Sequence, residues 1–270
     1  MKVFSGDGLQ QPAQPIHSTL RIASAMCFIG HGAFGIITKP IWCNYFAVFG
    51  IGHDLAYRLM PLVGIIDILM GLSLLFYPIR AIAAWLVGWG LLTAALRPLS
   101  GEPFAEIIER AGNYCAPLAL LLLSEKGGLG SRLSPDPRID ARRFRLVTFC
   151  LRLAVFFLLS GHGWLNLIEK KGLLQQYAGL GFPDPAHTAH LVGMFELLAA
   201  LAVLVRPVRP LVLVFFVWKM GIELFYPQHE VFEWIERGGS YGCLLALWMA
   251  LGQTPALTGS QTKEKITLTI

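Results

Sequence analysis

Two histidines inside apolar runs are the residues of this sequence best suited to chemistry. His31 lies in Gly30-His31-Gly32, and His162 lies in Gly161-His162-Gly163. An imidazole buried among apolar side chains is costly unless it has a polar partner. The repeated Gly-His-Gly therefore predicts two related centres, in which the glycines either allow close helix approach or leave room for a ligand.

An acidic residue occurs in the apolar run that follows each histidine. Asp67 follows His31, and Glu196 follows His162. At 1.5 Å per helical residue, each acid and its histidine lie about 10 Å below the same end of their helices. Consecutive helices usually pack as antiparallel neighbours. We therefore predict His31–Asp67 and His162–Glu196 contacts, which either hold a catalytic tautomer or simply tie two helices together.

The second centre has polar residues that the first lacks. Lys219 and Glu223 are one helical turn apart and can pair, whereas the first half has Gly90 and Ala94. Three tryptophans are expected to contact a ligand: Trp164 and Trp218 near His162, and Trp89 near His31. We predict that the second centre is the more active one; the alternative is a purely structural Lys219–Glu223 pair.

A third motif occurs twice, as Glu-x-x-Glu-Arg-x-Gly-x-Tyr. Acidic residues suit a helix start because of its positive dipole end. The repetition also predicts a lid over the histidine level. Its expected ligand-binding residues are Glu109, Arg110, Tyr114, Glu236, Arg237 and Tyr241.

The composition indicates a membrane protein. Of 270 residues, 55% are hydrophobic and 14% are charged, and the mean hydropathy is +0.58. A soluble domain has about 25% charged residues. The net charge of +5 comes from basic residues at segment ends and in one loop, which is typical of membrane topology signals rather than of nucleic-acid binding. The five cysteines form no CxxC, and no metal site is expected.

The elements that must position these residues are eight predicted membrane helices. They are Leu20–Ile37, Met60–Tyr77, Ala81–Leu96, Gly112–Leu123, Leu146–Leu167, Ala189–Val205, Leu211–Tyr226 and Gly239–Leu251. The predicted organisation is a polar segment 1–19, a first four-helix repeat 20–123, a basic linker 124–145, a second repeat 146–252 and a tail 253–270.

The two halves correspond residue by residue, which indicates a tandem duplication. The matched positions include Arg21 with Arg152, His31 with His162, Asp67 with Glu196, Trp89 with Trp218 and Arg110 with Arg237. Each half has an even number of predicted helices, so both enter the membrane from the same side as parallel repeats. The expected fold is all-α: two parallel four-helix bundles related by a pseudo-two-fold axis.

Basic residues are concentrated in the linker and at the segment ends on its side. The positive-inside rule places the linker and both termini in the cytoplasm. The expected location is a bacterial inner membrane, with an outward-facing polar pocket.

The motifs resemble the DoxX/DoxD family of four-helix membrane proteins. The second half carries the resemblance through Arg152, Gly161, Gly163, Lys170, Gly181-Phe182-Pro183 and Glu196. The first half is similar through Arg21, Gly30, Gly32, Lys39, Gly50 and Asp67, but has Asp instead of Glu and no Gly-x-Pro. The resemblance implies a membrane subunit linked to quinone-dependent oxidation, as in thiosulfate:quinone oxidoreductase, or to thiol-stress complexes.

The leading hypothesis is a quinone-interacting oxidoreductase subunit in the lipid bilayer, with a peripheral or membrane redox partner. His162 and Glu196 would move protons while Trp164 and Trp218 stack on the quinone. An alternative cofactor is a haem held between His31 and His162. The alternative functions are a proton-coupled solute transporter and a non-catalytic scaffold or assembly factor.

Overall fold

The computed structural model describes residues 13–225 and 231–267, with side chains described as far as residue 253. In these ranges the regular structure is helical, with two isolated β-bridges, Ile79 with Arg132 and Ser124 with Pro135. The first half consists of α1 (Ala13–Ile36), α2 (Trp42–Ala47), α3 (His53–Phe76), α4 (Arg80–Leu99), α5 (Ala105–Glu109) and α6 (Ala111–Leu123). The second consists of α7 (Ala141–Leu167), α8 (Lys171–Gly179), α9 (Pro185–Val205), α10 (Arg209–Glu223), α11 (Val231–Glu236) and α12 (Gly238–Thr267).

The same order of six helices therefore occurs twice. Five helices, α1, α3, α4, α7 and α9, are long and apolar enough to cross a membrane. Their outward faces are apolar: on α3, for example, Leu62, Ile65 and Leu69 are exposed. A contiguous exposed apolar surface of this kind fits contact with lipid.

Several helices begin or end away from the predicted boundaries because polar residues extend them. α7 begins at Ala141, inside the predicted linker, because the Asp140 side chain accepts a hydrogen bond from the Arg143 backbone N–H. The same N–H hydrogen bond lowers the pKa of Asp140. α12 continues to Thr267, through the predicted tail. α1 begins at Ala13, inside the predicted polar segment 1–19. Residues 1–12 of that segment and Tyr226, the end of one predicted span, lie outside the described residues.

Short helices α2, α5, α8 and α11 are absent from the sequence prediction. They lie at the end of the molecule where α1 and α7 finish, which we call the distal end; the opposite end, where the linker lies, is the linker end. A helix of five to nine residues shows too little periodicity to be recognised in sequence.

The halves share one core instead of forming two separate bundles. α1 and α6 of the first half pack against α12 and α7 of the second, respectively, and α6 packs against α12. Their buried side chains, such as Leu20, Leu120, Leu151 and Leu244, form one continuous cluster. α3, α4, α9 and α10 flank this core. Just over half of the most apolar stretch of α1 is buried (56%), against 28% in α3 and in α4.

Glycines make the close approach between the halves possible. A Cβ built on Gly112 of α6 would lie 2.3 Å from the backbone nitrogen of Ser240 in α12. A Cβ on Gly239 would lie 2.6 Å from the Gly112 carbonyl oxygen. These helices are therefore in direct backbone contact, as small residues allow in membrane helices.

The replacement Gly112→Ala is expected to destabilise the protein by about 1–3 kcal/mol, because the backbones of α6 and α12 must move apart. The measurement is the free energy of unfolding in detergent titrations. The matched control is Gly88→Ala on α4, where an added Cβ meets nothing within 4 Å. Equal stability of the two variants would contradict the close contact.

Candidate functional site

The structure brings both predicted histidine–carboxylate pairs together at the distal end. His31 Nδ1 lies 2.7 Å from Asp67 Oδ2, and His162 Nδ1 lies 2.5 Å from Glu196 Oε2. Both carboxylates are buried. In each pair Nδ1 is engaged, so Nε2 is the ring nitrogen left for a ligand or another partner.

The glycines beside each histidine have different partners. A Cβ on Gly32 would lie 2.5 Å from the Gly64 carbonyl oxygen of α3, so α1 and α3 touch directly beside the His31–Asp67 pair. A Cβ on Gly30 would lie 2.3 Å from the backbone nitrogen of Glu236 in the other half. The first glycine, Gly30, thus allows close contact with the opposite half, and the second, Gly32, allows close contact with the neighbouring helix α3. Of the two predicted roles for these glycines, close helix approach is the one this geometry supports.

Each Glu-x-x-Glu-Arg motif packs against the opposite half of the molecule, an arrangement that we call the exchange. α5 of the first half packs on α7, and α11 of the second half packs on α1. Arg110 Nη1 lies 3.1 Å from Glu236 Oε1, and Arg237 forms the reciprocal pair with Glu109. All four side chains are buried. Each motif therefore lies beside the histidine of the other half.

Two lysines complete the exchange. Lys39, just after α1, places Nζ 2.8 Å from Glu233 Oε2. Lys170, just after α7, places Nζ 2.6 Å from Glu106 Oε1. Burial alone would raise the pKa of Glu233, but the positive charges of Arg237 and Lys39 outweigh it and lower the pKa to about 2. Glu233 therefore stays ionised at neutral pH.

Around His162 the space is filled by charged side chains. Lys219 Nζ lies 2.9 Å from Glu196 Oε1 and 3.7 Å from Glu223 Oε1. Glu223 Oε2 in turn lies 2.7 Å from Arg237 Nε. The chain of contacts runs from His162 through Glu196, Lys219, Glu223 and Arg237 to Glu109, and we call it the second-half network. All of its members are buried.

Around His31 the corresponding space is a cavity. Gly90 and Ala94 stand where Lys219 and Glu223 stand in the second half. The cavity measures about 630 Å³, including the part open to the outside, and His31 forms part of its wall. We call it the first-half cavity.

Aromatic and cationic groups line the first-half cavity. The Trp42 ring lies over His31, with centroids 4.7 Å apart and planes at 33°. Tyr45, Phe46 and Trp89 add further aromatic surface. The charged lining residues are Arg97, Arg110 and Glu236.

The structure separates several residues that we expected to lie together. Trp164 lies beside Phe104, with ring centroids 6.5 Å apart, and Trp218 lies beside Phe195, with centroids 5.9 Å apart. Both tryptophans are partly exposed, at 43% and 39%. Residues two apart on a helix point to nearly opposite sides, so the step from His162 to Trp164 carries the indole away from the imidazole. Neither ring is placed to stack on a ligand at His162.

The lid residues have mixed positions. Glu236 and Arg110 line the first-half cavity, whereas Glu109 and Arg237 belong to the second-half network. The Tyr114 hydroxyl donates a hydrogen bond to the Ile107 carbonyl at 3.2 Å, and the buried Tyr241 ring packs on Trp234. Each copy of the motif packs on the opposite half, and together the two copies contribute side chains to both centres.

Sequence reasoning missed two groups of residues. Trp42, Tyr45 and Arg97 belong to the first-half cavity, and the helical spacing of Trp42 and Tyr45 was the available signal. Asn166 donates a hydrogen bond to the His162 carbonyl at 3.0 Å and accepts one from the Tyr177 hydroxyl at 2.7 Å. Its position one turn after His162 was the signal for this second group.

The fold and site define a duplicated, membrane-compatible helical protein with two unequal histidine–carboxylate centres. Comparison of the chain with known protein families, with curated proteins and with solved structures finds no match. Among the residues that the structure describes, no three His, Cys, Asp or Glu side chains are grouped to hold a metal ion.

Replacing Lys219 with Met is expected to destabilise the protein by about 3–5 kcal/mol, because Glu196 and Glu223 would lose a buried positive partner. The double variant Lys219→Met/Glu223→Gln should recover part of this loss. Unfolding free energies in detergent provide the measurement.

The control is Val217→Met, on the exposed side of the same helix. A Lys219→Met protein within about 0.5 kcal/mol of the unmodified chain, as is usual for surface changes, would show that the network contributes little.

Proposed function

We propose that this protein is a quinone-reactive membrane subunit and that the first-half cavity is its quinone site. The observation that carries the proposal is an aromatic-walled cavity with a histidine in its wall, whose Nδ1 is paired with the buried Asp67 behind it. Flat aromatic rings such as Trp42 and Trp89 suit a planar quinone headgroup, since aromatic pairs favour stacked or tilted packing.

The His31–Asp67 pair supplies the proton chemistry in this proposal. Asp67 accepts a hydrogen bond from Nδ1–H of His31 and so leaves Nε2 as a base. Neutral Nε2 accepts the proton of a quinol hydroxyl, and protonated Nε2 donates to a quinone carbonyl. Arg97 and Arg110 line the same cavity and stabilise negative charge on a quinone oxygen.

The proposed site differs from the one expected at His162. In the second half, Lys219 and Glu223 occupy the position of the cavity and are paired with Glu196 and Arg237. We infer that the charged side chains around His162 have a structural role and hold the helices together. The scaffold alternative thus applies to one half of the molecule.

The proposed membrane arrangement has eight crossing helices in two parallel halves around the shared core. α6 and α10 have 13 and 15 residues, fewer than the ~20 of a straight crossing, so the bilayer is locally thinner at these helices. The linker and both termini lie on the cytoplasmic side of a bacterial inner membrane, and the first-half cavity lies near the opposite surface. Membership of the DoxX/DoxD family belongs to the same proposal.

A redox partner is required. The described cysteines are all free thiols, and the sequence contains no CxxC. In this proposal a peripheral or membrane redox protein supplies or accepts the two electrons. Of the two protons of the quinone–quinol couple, one passes through His31 Nε2 and the other is exchanged with water at the open side of the cavity. The quinone carries the electrons and protons away from, or to, this site through the membrane.

A short-chain quinone analogue is expected to bind the purified protein in lipid nanodiscs and to quench its tryptophan fluorescence, because Trp42 and Trp89 line the cavity. His31→Ala should weaken binding at least about tenfold, since it removes a strong hydrogen bond. Ala94→Leu should weaken it by filling the cavity without removing any polar group.

The matched control is Leu92→Phe, on the partly exposed side of the same helix as Ala94. It should bind like the unmodified protein. Absence of binding to the unmodified protein, or unchanged affinity in both His31→Ala and Ala94→Leu, would overturn the assignment of this cavity.

A further inference from the structure

A second cavity lies at the linker end, on the opposite side of the molecule from the histidines. It measures about 510 Å³, including its open part. α1 contributes Arg21, the end of α3 contributes Leu75 and Phe76, and the linker contributes Arg132 and Ser134. Among the described residues, its wall holds two arginines and no Asp or Glu.

The linker that closes this cavity is held in place by backbone hydrogen bonds. The Arg80 N–H donates to the Ser131 carbonyl at 3.0 Å, and the Leu133 N–H donates to the Pro78 carbonyl at 3.0 Å. The Arg132 guanidinium lies over the Tyr77 ring, 5.3 Å from its centroid. Arg132 is therefore directed by a defined turn of chain and does not depend on a flexible loop.

Arg21 differs from its counterpart in the second half. Arg152 donates a hydrogen bond to the carbonyl of Leu204, near the end of α9. The residue that corresponds to Leu204 is Leu75, which lines the cavity. The Arg21 side chain makes no hydrogen bond or ion pair within the described part of the chain. Its Nε is buried without a partner, as is the Nε of Arg152, so the two arginines differ in the hydrogen bond to a carbonyl that Arg152 makes and Arg21 lacks. A guanidinium N–H that has no acceptor among the described residues is costly to bury, and the open cavity beside Arg21 leaves room for an acceptor that a ligand supplies.

The position of the cavity matches the headgroup level of a membrane. It lies at the end of α3, where Phe76 and Tyr77 are 78% and 62% exposed beyond a lipid-facing helix surface. Aromatic residues at the end of a membrane helix mark the interface between hydrocarbon and water. Arginine binds phosphate strongly because its planar N–H groups match two phosphate oxygens.

We propose that Arg21, Arg132 and Ser134 form a binding site for a phosphate group, supplied by the headgroup of an anionic membrane lipid or by free phosphate. The Ser134 hydroxyl can donate a third hydrogen bond. The leucine and phenylalanine of the wall would contact the glycerol and upper acyl region of a lipid, for which free phosphate has no counterpart.

The test measures binding and thermal stabilisation of the full chain in detergent. Short-chain phosphatidylglycerol, short-chain phosphatidylcholine and inorganic phosphate are added separately. Phosphatidylglycerol is expected to raise the unfolding temperature and to remain bound in native mass spectrometry. Arg21→Gln and Arg132→Gln should each weaken its binding about tenfold through loss of a charge-assisted hydrogen bond.

The matched control is Arg138→Gln, an exposed linker arginine outside the cavity wall, which should bind like the unmodified protein. If Arg21→Gln fails to fold, Arg132→Gln and Ser134→Ala decide the matter. An equal response to inorganic phosphate identifies a free-phosphate site. No response to either anion, or an equal response in Arg132→Gln and Arg138→Gln, would overturn the proposal.

Discussion

The reciprocal ion pairs Arg110–Glu236 and Arg237–Glu109 are the contact on which the rest of the structure depends. Both pairs are buried at the junction of the halves. Removing one partner from such a pair leaves an uncompensated charge, so each half needs the other. The same exchange brings the backbones of α11 and α5 onto Gly30 and Gly161, beside the two histidines. Core packing and site geometry are therefore set by one interaction.

Two positions on equivalent helices account for the difference between the centres. With Lys219 and Glu223 present, the carboxylate beside His162 is neutralised by a lysine and the space is filled. The first half has Gly90 and Ala94 instead, and Ala94 lines the cavity beside His31. The charged pair fills the space beside His162, whereas the space beside His31 stays open. The halves have thus diverged by side-chain volume and charge, with the backbone order retained.

The duplication and the histidine–carboxylate pairs could be predicted because both follow from the spacing of residues along the sequence. Each acid lies on the next long helix after its histidine, at a depth that the helical rise determines. The contacts between the motif of each half and the opposite half could not be predicted, because Arg110 and Glu236 lie far apart in sequence and no periodicity links them.

The second centre was predicted to be the more active one because more polar residues lie near His162 in the sequence. Lys219 and Glu223 satisfy one another's charges, so more ionisable groups meant less free space. The place of Trp164 was misjudged because proximity in sequence was taken for proximity of side chains.

The exchanged contact has the form of a symmetric homodimer interface, in which residue i of one copy meets j of the other and j meets i. In a homodimer every substitution appears at both sites, so a lysine that fills one cavity fills both. Joining the two copies through residues 124–140 removes that restriction. Covalent fusion therefore allows one site to become rigid and the other to stay hollow, while the contact that holds them together remains symmetric.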